Sequence, residues 1–260
     1  MLRELYTAAL GMMPQQTRLE TVANNIANSS TTGYKRTDVF ERQVIDSVEH
    51  FANTPTGVEQ DDPPVGEYTD YSKGSFVMTG NKLDLAIEND NAFFVLEDED
   101  GNQYLTRAGN FTLSEDGFLE TTDGKKLVGE SGTVNIATDE FFKSFTAGDN
   151  KNLDIRITEQ GDVFINDTRI DGIDIVRVEN PQSLMHTNGS AFIAQEDTIA
   201  EIADPAEVNI RQGWLENSNV DIIKEMVKMI ELQRMFELGS KVISTNDSTL
   251  DDSFRVGRVL

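Results

Sequence analysis

Hydrophobic positions repeat every seven residues near both ends of the chain. The N-terminal repeat consists of Leu5, Met12, Leu19 and Ile26. The C-terminal repeat consists of Ile222, Met229, Phe236, Ile243 and Leu250, and Met226 occupies an adjoining position. A sustained seven-residue repeat is typical of helices that pack lengthwise against other helices. We therefore predict one helix at each end, and the periodicity leaves open whether the two stripes cover each other within a monomer.

Several residues predict where these helices begin, bend and end. Pro14 lies inside the first repeat, and because an interior proline costs ~3 kcal/mol it predicts a bend or a late start near Met13. Ser218 and Asp221 form an S-x-x-D helix-start signal, and Asp221 suits the positive end of the helix dipole. The triplet at 246–248, Asn-Asp-Ser, predicts a loosened or broken helix before a last turn.

Short strand-like runs replace the helical pattern between the two ends. Tight-turn dipeptides separate them, Asp-Gly at 100–101, 116–117, 123–124 and 171–172 and Asn-Gly at 188–189. Such dipeptides match the twist of hairpins, so the middle predicts an antiparallel sandwich or barrel-like domain. The predicted strands are Phe93–Leu96, Tyr104–Thr106, Asn110–Leu113, Phe118–Thr121, Asp154–Ile157, Val163–Ile165 and Ile173–Val176.

The predicted fold class is therefore α+β, with helical ends around an all-β middle. Residues 46–66 contain three prolines and two glycines and predict a linker. The predicted domains are a discontinuous helical domain (1–32 and 216–260), a connector (33–66) and a β-rich domain (67–215). Isolated helices of this length are marginal in water, so the two ends must bind each other or other molecules.

The charge of the chain is concentrated in its middle. The formal net charge is −24, all of it falls within 46–210, and both ends are close to neutral. A strongly acidic surface repels nucleic-acid phosphates and copies of itself, so we expect no nucleic-acid partner. Tight self-association would use the neutral ends. Solubility or a salty environment would equally explain the magnitude of the charge, but not its distribution.

Residues for catalysis, metal binding or cofactor binding are scarce. Cysteine is absent, and the only histidines, His50 and His186, have no second ligand at metal spacing. The acidic run at 97–101 does not match a calcium loop, because Leu96 stands where an oxygen ligand is needed. Trp214 could mark a sugar site, but we expect it to pack where the β domain meets the second helix. We predict no catalytic residue, no cofactor, no metal and no small-molecule substrate.

Two sequence signatures resemble one protein family. The stretch ANNIANSSTTGYKR at 23–36 resembles the N-terminal signature of the bacterial flagellar rod and hook family, a helix followed by a T-x-G-Y-K-R turn. The stretch RQGWLENSNVDIIKEMVKMIELQR from Arg211 is similar to the family's C-terminal signature, and 80–129 is similar to its middle. The signature residues are Asn24, Asn25, Asn28, Thr32, Gly33, Tyr34, Lys35, Arg36, Trp214, Ser218 and Asn219.

This resemblance implies a structural subunit of the flagellar basal-body rod that transmits motor torque toward the hook. The terminal helices would pair as a coiled-coil axial domain around the export channel, and the β domain would form an outer layer. Implied partners are further copies, other rod proteins and the type III export apparatus, which exports such proteins without a cleaved signal peptide. The implied axial packing residues are Leu5, Met12, Leu19, Ile26, Ile222, Met226, Met229, Phe236 and Ile243.

The position within the rod has two readings. The stretch from Val65 to Ile87 runs directly into the β domain without a longer glycine-rich segment, and the chain continues into DDSFRVGRVL, which favours a proximal over a distal rod protein. Outside the rod family, the alternative is a secreted adhesin-like β domain on a coiled-coil stalk. If the turn at Gly33 sets where the inner helix ends, a β-branched residue there should abolish assembly and leave the β domain folded.

Overall fold

The computed structural model describes residues 2–41, 65–136, 154–166, 168–187, 189–194, 200–204 and 207–257. The chain divides into two compact units, which are described separately. The helical unit comprises 1–27, 37–70 and 220–260, and the β unit comprises 28–36 and 71–219. The two helices and the mostly β middle confirm the α+β prediction. The predicted domain boundaries, drawn at 32/33, 66/67 and 215/216, stay predictions.

Two helices and one antiparallel ribbon form the helical unit. Helix α1 spans Leu2–Ala27 and helix α2 spans Ile222–Gly257. Strand β1 (Thr37–Glu41) pairs with strand β2 (Val65–Thr69). The predicted linker, 46–66, is therefore wrong at residues 65 and 66, which belong to β2. Residues 46–64 of that linker lie outside the described residues. The helices contact each other, and Val22 of α1 and Leu232 of α2 are buried.

Both helices are longer and less interrupted than the sequence predicts. Helix α1 begins at Leu2 and continues through Pro14, so the prediction of a late start near Met13 is wrong. The helix tolerates Pro14 because the backbone hydrogen bond that a proline cannot donate is a small part of a 26-residue helix. Helix α2 continues through 246–248. The hydroxyls of Ser248 and Thr249 donate to the carbonyl of Thr245 within the helix, so they do not compete with it.

Asp221 is the N-cap of α2. Its Oδ1 accepts hydrogen bonds from the backbone N–H groups of Ile223 (3.1 Å) and Lys224 (3.2 Å). The prediction that the start signal begins at Ser218 is therefore wrong by three residues, because Asp221 satisfies the free N–H groups by itself. The backbone N–H and ammonium of Lys224, together with the N–H of Ile223, hold the pKa of Asp221 below its usual value.

Seventeen strands form the β unit within the described residues, and every pairing recorded between them is antiparallel. They are β3 (Phe76–Met78), β4 (Leu85–Ile87), β5 (Ala92–Glu97), β6 (Gln103–Thr106), β7 (Thr112–Leu113), β8 (Leu119–Glu120), β9 (Lys126–Gly129), β10 (Gly132–Thr133), β11 (Ile155–Ile157), β12 (Asp162–Ile165), β13 (Thr168–Gly172), β14 (Ile175–Val178), β15 (Leu184–His186), β16 (Ala191–Ala194), β17 (Ala200–Ile202), β18 (Ile210–Gln212) and β19 (Trp214–Glu216). A 3-10 turn occupies Pro181–Ser183.

The largest sheet has ten strands and runs β15-β16-β6-β5-β9-β8-β7, with β10 on β9 and the pair β14–β17 joined to β5. Strands β11, β12 and β13 form a second sheet, and β18–β4 and β19–β3 form two-stranded pairs. Strand β5 is buried on both faces, because Phe94 and Leu96 point into one hydrophobic cluster and Phe93 and Val95 point into another.

The predicted strands agree with the observed ones to within a few residues. Three of the Asp-Gly turns are confirmed, since Gly101, Gly117 and Gly124 have φ values of 83°, 84° and 79°. The turn predicted at 171–172 is wrong, because Gly172 pairs with Asp162 inside β13. The strand predicted from Ile173 begins instead at Ile175, and Ile173 forms only an isolated bridge. Asn188 lies outside the described residues.

Candidate functional site

The N-terminal signature forms a hydrogen-bonded turn at the start of the β unit. The N–H of Thr31 donates to the carbonyl of Asn28 (3.1 Å), and its hydroxyl donates to the Asn28 side chain (3.2 Å). The N–H of Tyr34 then donates to the carbonyl of Thr31 at 3.3 Å. A short polar side chain thus adds a local hydrogen bond to those of the turn backbone.

Any amino acid other than glycine would introduce strain at position 33 of this turn. Its φ is +68°, and a Cβ added there would lie 2.3 Å from the Ala108 nitrogen and 2.4 Å from the Arg107 carbonyl carbon. Its N–H donates to the carbonyl of Glu216 at 2.8 Å. Glycine is therefore required at this position for two reasons: the backbone is left-handed, and two backbone segments lie too close for a Cβ atom.

Lys35, Arg107 and Glu216 form a buried ion cluster. The Lys35 ammonium donates to Glu216 Oε1 at 2.6 Å and to the carbonyl of Ser72 at 2.8 Å. Arg107 Nε lies 3.5 Å from Glu216 Oε2, and the three side chains are only 1–2% exposed. Burial lowers the pKa of the Arg107 guanidinium, while the charge of Glu216 opposes that shift. One carboxylate thus serves two buried cations and joins the two signatures.

Tyr34 anchors the turn through aromatic contacts. Its buried ring meets His186 edge-on at 5.8 Å between centroids, and His186 meets Phe192 at 5.2 Å. His186 lies at the surface, but one side of its ring packs on the turn. Burial of that side lowers the pKa of the imidazole.

The remaining signature residues hold backbone groups in place. Within the β unit, the N–H of Arg36 donates to Asn219 Oδ1 (2.7 Å), and Asn219 Nδ2 donates to the carbonyl of Ser72 (3.1 Å). Within the helical unit, Asn25 donates to the carbonyl of Thr37 (2.7 Å) and accepts from its N–H (3.1 Å). Asn24 is exposed, Thr32 and Trp214 are half-buried, and Ser218 is buried.

Helix α2 presents an exposed apolar surface. We call this the apolar α2 surface; its members are 39–75% exposed and are Ile222, Ile223, Met226, Val227, Ile230, Met235, Phe236, Leu238 and Val242. Three predicted packing residues, Ile222, Met226 and Phe236, belong to it, while Met229, Ile243, Leu19 and Ile26 are half-buried. The side chains of Leu5 and Met12 lie outside the described residues. Nine exposed apolar side chains on one helix indicate an interaction surface.

A different stripe of α2 faces the interior of the helical unit. Glu225 and Leu232, seven residues apart, are buried. Lys228 lies 3.2 Å from Asp38 Oδ2 and 3.5 Å from Glu225 Oε1, and so links α2 to β1. Of the C-terminal repeat, Ile222 and Phe236 are exposed, whereas Met229 and Ile243 are half-buried, so this repeat is only partly covered among the described residues.

Sequence reasoning did not predict the ion cluster or the inward stripe. Glu216 and Lys35 stood in quoted motifs, but nothing in their types or spacing indicated that they meet across 181 positions. Arg107 carried no signal at all, since a lone arginine after a strand is ordinary. From the sequence, Glu225 was only an acidic residue in the first turn of a helix, and nothing indicated that it is buried.

Other kinds of site receive no support from the described residues. Within those ranges no group of three or more His, Asp and Glu side chains could hold a metal ion. Among the same residues, no helix is long and apolar enough to cross a membrane.

Three family models match the chain. They are described as "Flagella basal body rod protein" (residues 5–35), "Flagellar hook protein FlgE/F/G D1 domain" (86–165) and "Flagellar basal body rod FlgEFG protein C-terminal" (211–256). The first and third include the turn and the strand that share the ion cluster. All three parts of the sequence resemblance are thereby confirmed.

Curated relatives match over almost their whole length. The flagellar basal-body rod protein FlgG of Agrobacterium fabrum is 33% identical, covering 95% of this chain and 96% of the relative. FlgG of Bacillus subtilis is 31% identical over 99% of this chain and 100% of the relative. The flagellar basal-body rod protein FlgF of Rhizobium meliloti is 30% identical over 95% and 94%.

Proposed function

We propose a function from the premise that the chain belongs to the flagellar basal-body rod protein family. It is a structural protein and not an enzyme, and it serves as a subunit of the basal-body rod. The observation that carries this function is the apolar α2 surface, nine apolar side chains left exposed on a single helix. In a rod these side chains are covered by neighbouring subunits.

The helical unit is the part that packs along the rod axis. Helices α1 and α2 form a coiled-coil axial domain there, and their lengthwise packing transmits torque toward the hook. The packing residues on α2 are Ile222, Met226, Met229, Phe236 and Ile243, and those on α1 are Leu5, Met12, Leu19 and Ile26. The near-neutral charge of both chain ends supports this assignment, because it allows copies to approach without repulsion.

The partners of the subunit are further copies, other rod proteins and the flagellar type III export apparatus. The rod crosses the periplasm, and the export apparatus delivers the subunit to it. The resemblance of the N-terminal and C-terminal signatures to the rod family supports these assignments.

Within the rod we place the subunit in the proximal part. The short passage from β2 into the β unit and the C-terminal tail support the proximal position. The relatives carry two names, FlgG and FlgF, so a distal position is the alternative. A strain lacking the gene, complemented with a tagged copy and imaged by electron cryotomography, distinguishes the two by the height of the tag in the rod.

The double variant Met226→Asp/Ile230→Asp tests the role of the apolar α2 surface. Both side chains are about half exposed, so the purified protein should fold with unchanged circular dichroism. In a deletion strain the variant should fail to restore hook-basal bodies and swimming, because a buried unpaired charge costs several kcal/mol. Swimming halos and isolated basal bodies are the measurements.

The control is Ser240→Asp, which adds one negative charge at an exposed polar position of α2. It should restore swimming to within about twofold of the wild type, because surface substitutions are usually nearly neutral. Normal swimming by the double variant would contradict the proposed surface.

A further inference from the structure

The ion cluster joins three segments that are far apart in the sequence. Lys35 comes from the N-terminal turn, Arg107 follows β6, and Glu216 ends β19. Both the backbone and the side chain of Glu216 are used: its carbonyl accepts from Gly33, and its Oε1 accepts from Lys35 and from the N–H of Gly74 (3.0 Å). Glu216 is the member of the cluster that is synthesised last.

Without Glu216 the β unit would bury two cations that have lost their shared counter-ion. Arg107 retains the carbonyls of Asn89 (2.9 Å) and Ile87 (3.4 Å), but both of these groups are neutral. The acidic Asp90 also acts on Arg107, but its side chain is 79% exposed, so water screens its charge. Removing one partner from a buried ion pair is strongly destabilising, because the other charge is left uncompensated.

The strands next to Glu216 are also the last strands of the β unit. Strand β18 pairs with the fully buried β4, and β19 pairs with β3. Closing contacts between segments so distant in the chain is slow, because the entropy of a large loop must be lost before the contacts form. Local hairpins such as β5–β6 and β7–β8 do not have this cost.

We propose that Glu216 is a folding latch of the β unit. The hairpins within 71–209 form first, and docking of β18 and β19 then brings the Glu216 carboxylate between Lys35 and Arg107. Until that step the two cations stay hydrated and the unit stays open. The latch is a property of the β unit, and it makes closure depend on both signatures at once.

Refolding kinetics of the full chain test the latch. Trp214 is the only tryptophan and lies two residues before Glu216, so its fluorescence follows the docking of β19. If the cluster forms after the transition state, Glu216→Gln should leave the refolding rate within about twofold and accelerate unfolding by about thirtyfold or more. Glu216→Asp, a milder change, should show the same partition with a smaller effect and covers the case in which Glu216→Gln does not fold.

The matched control is Glu207→Gln, which removes a carboxylate from an exposed ion pair with Arg177 (3.4 Å) in the same unit. It should change neither rate by more than about twofold, because exposed pairs contribute little. Slower refolding of both Glu216 variants with unchanged unfolding would place the cluster in the folding nucleus and overturn the latch. Wild-type values for both rates would overturn it as well.

Discussion

At the scale of single residues, Gly33 lets the N-terminal turn lie directly against the backbone of 107–108. The T-x-G-Y-K-R signature predicted a turn at Gly33, and the structure has this residue in a turn with a φ of +68°. No local pattern indicated that the backbone of 107–108 lies against it, because that contact joins positions 75 apart. The contact lies inside the β unit, which argues against the expectation that a β-branched residue would spare the β domain.

Gly33→Ala should destabilise the β unit by more than about 2 kcal/mol, because the methyl group meets fixed backbone and adds to the conformational cost. Gly101→Ala is the matched control: its φ is +83°, but a Cβ there meets nothing within 4 Å. It should cost only about 1 kcal/mol. Chemical denaturation followed by Trp214 fluorescence measures both, and equal losses would show that the close approach is unimportant.

His186 should make the stability of the β unit sensitive to pH. Burial lowers its pKa in the folded state, so the unfolded chain binds the proton more readily. The contribution is fully present above the unfolded pKa of about 6.5 and is lost as the pH falls toward the folded pKa. His186→Phe keeps an aromatic ring against Tyr34 and should lose less stability than the wild type between about pH 7 and pH 5. Parallel pH profiles for the two proteins would refute this role.

At the scale of elements, local chemistry predicted most strands and misled at the helices. Tight turns at Gly101, Gly117 and Gly124 bounded the strands correctly, because a hairpin depends on neighbours in sequence. The dipeptide at 171–172 failed because pairing with β12 decides its conformation. The ribbon of β1 and β2 was missed for a similar reason: each strand is formed by its partner and not by its own pattern.

Asp221→Ala should fray the first turn of α2, because the N–H groups of Ile223 and Lys224 lose their acceptor. Asp221→Asn, which retains an acceptor oxygen, is the control and should behave like the wild type at neutral pH. Since the folded pKa of Asp221 is lowered, its contribution is present above the usual aspartate pKa and is lost as the pH falls below it. Hydrogen exchange of the two amides measures the effect, and equal protection in all three proteins would contradict the cap.

At the scale of the whole molecule, the chain passes between the two units four times, after residues 27, 36, 70 and 219. Heptad spacing indicated helices at both ends, and turn dipeptides indicated a β middle, so the class of fold was predictable. The membership of 28–36 in the β unit was not predictable, because it depends on a buried ion cluster made at long range. Three of the exposed apolar residues on α2, Ile222, Met226 and Phe236, were predicted as packing residues, but only the structure shows that they are exposed in the isolated chain.

The ribbon of β1 and β2 has a consequence for length variation. Its last residue pair joins Glu41 to Val65, so the end of β1 and the start of β2 lie side by side. Insertions or deletions between these two positions can be absorbed while the ribbon keeps its register. Homologous subunits can therefore gain or lose residues there and keep both folded units, which makes this interval a natural place for evolution to add new contacts and for an investigator to insert a tag.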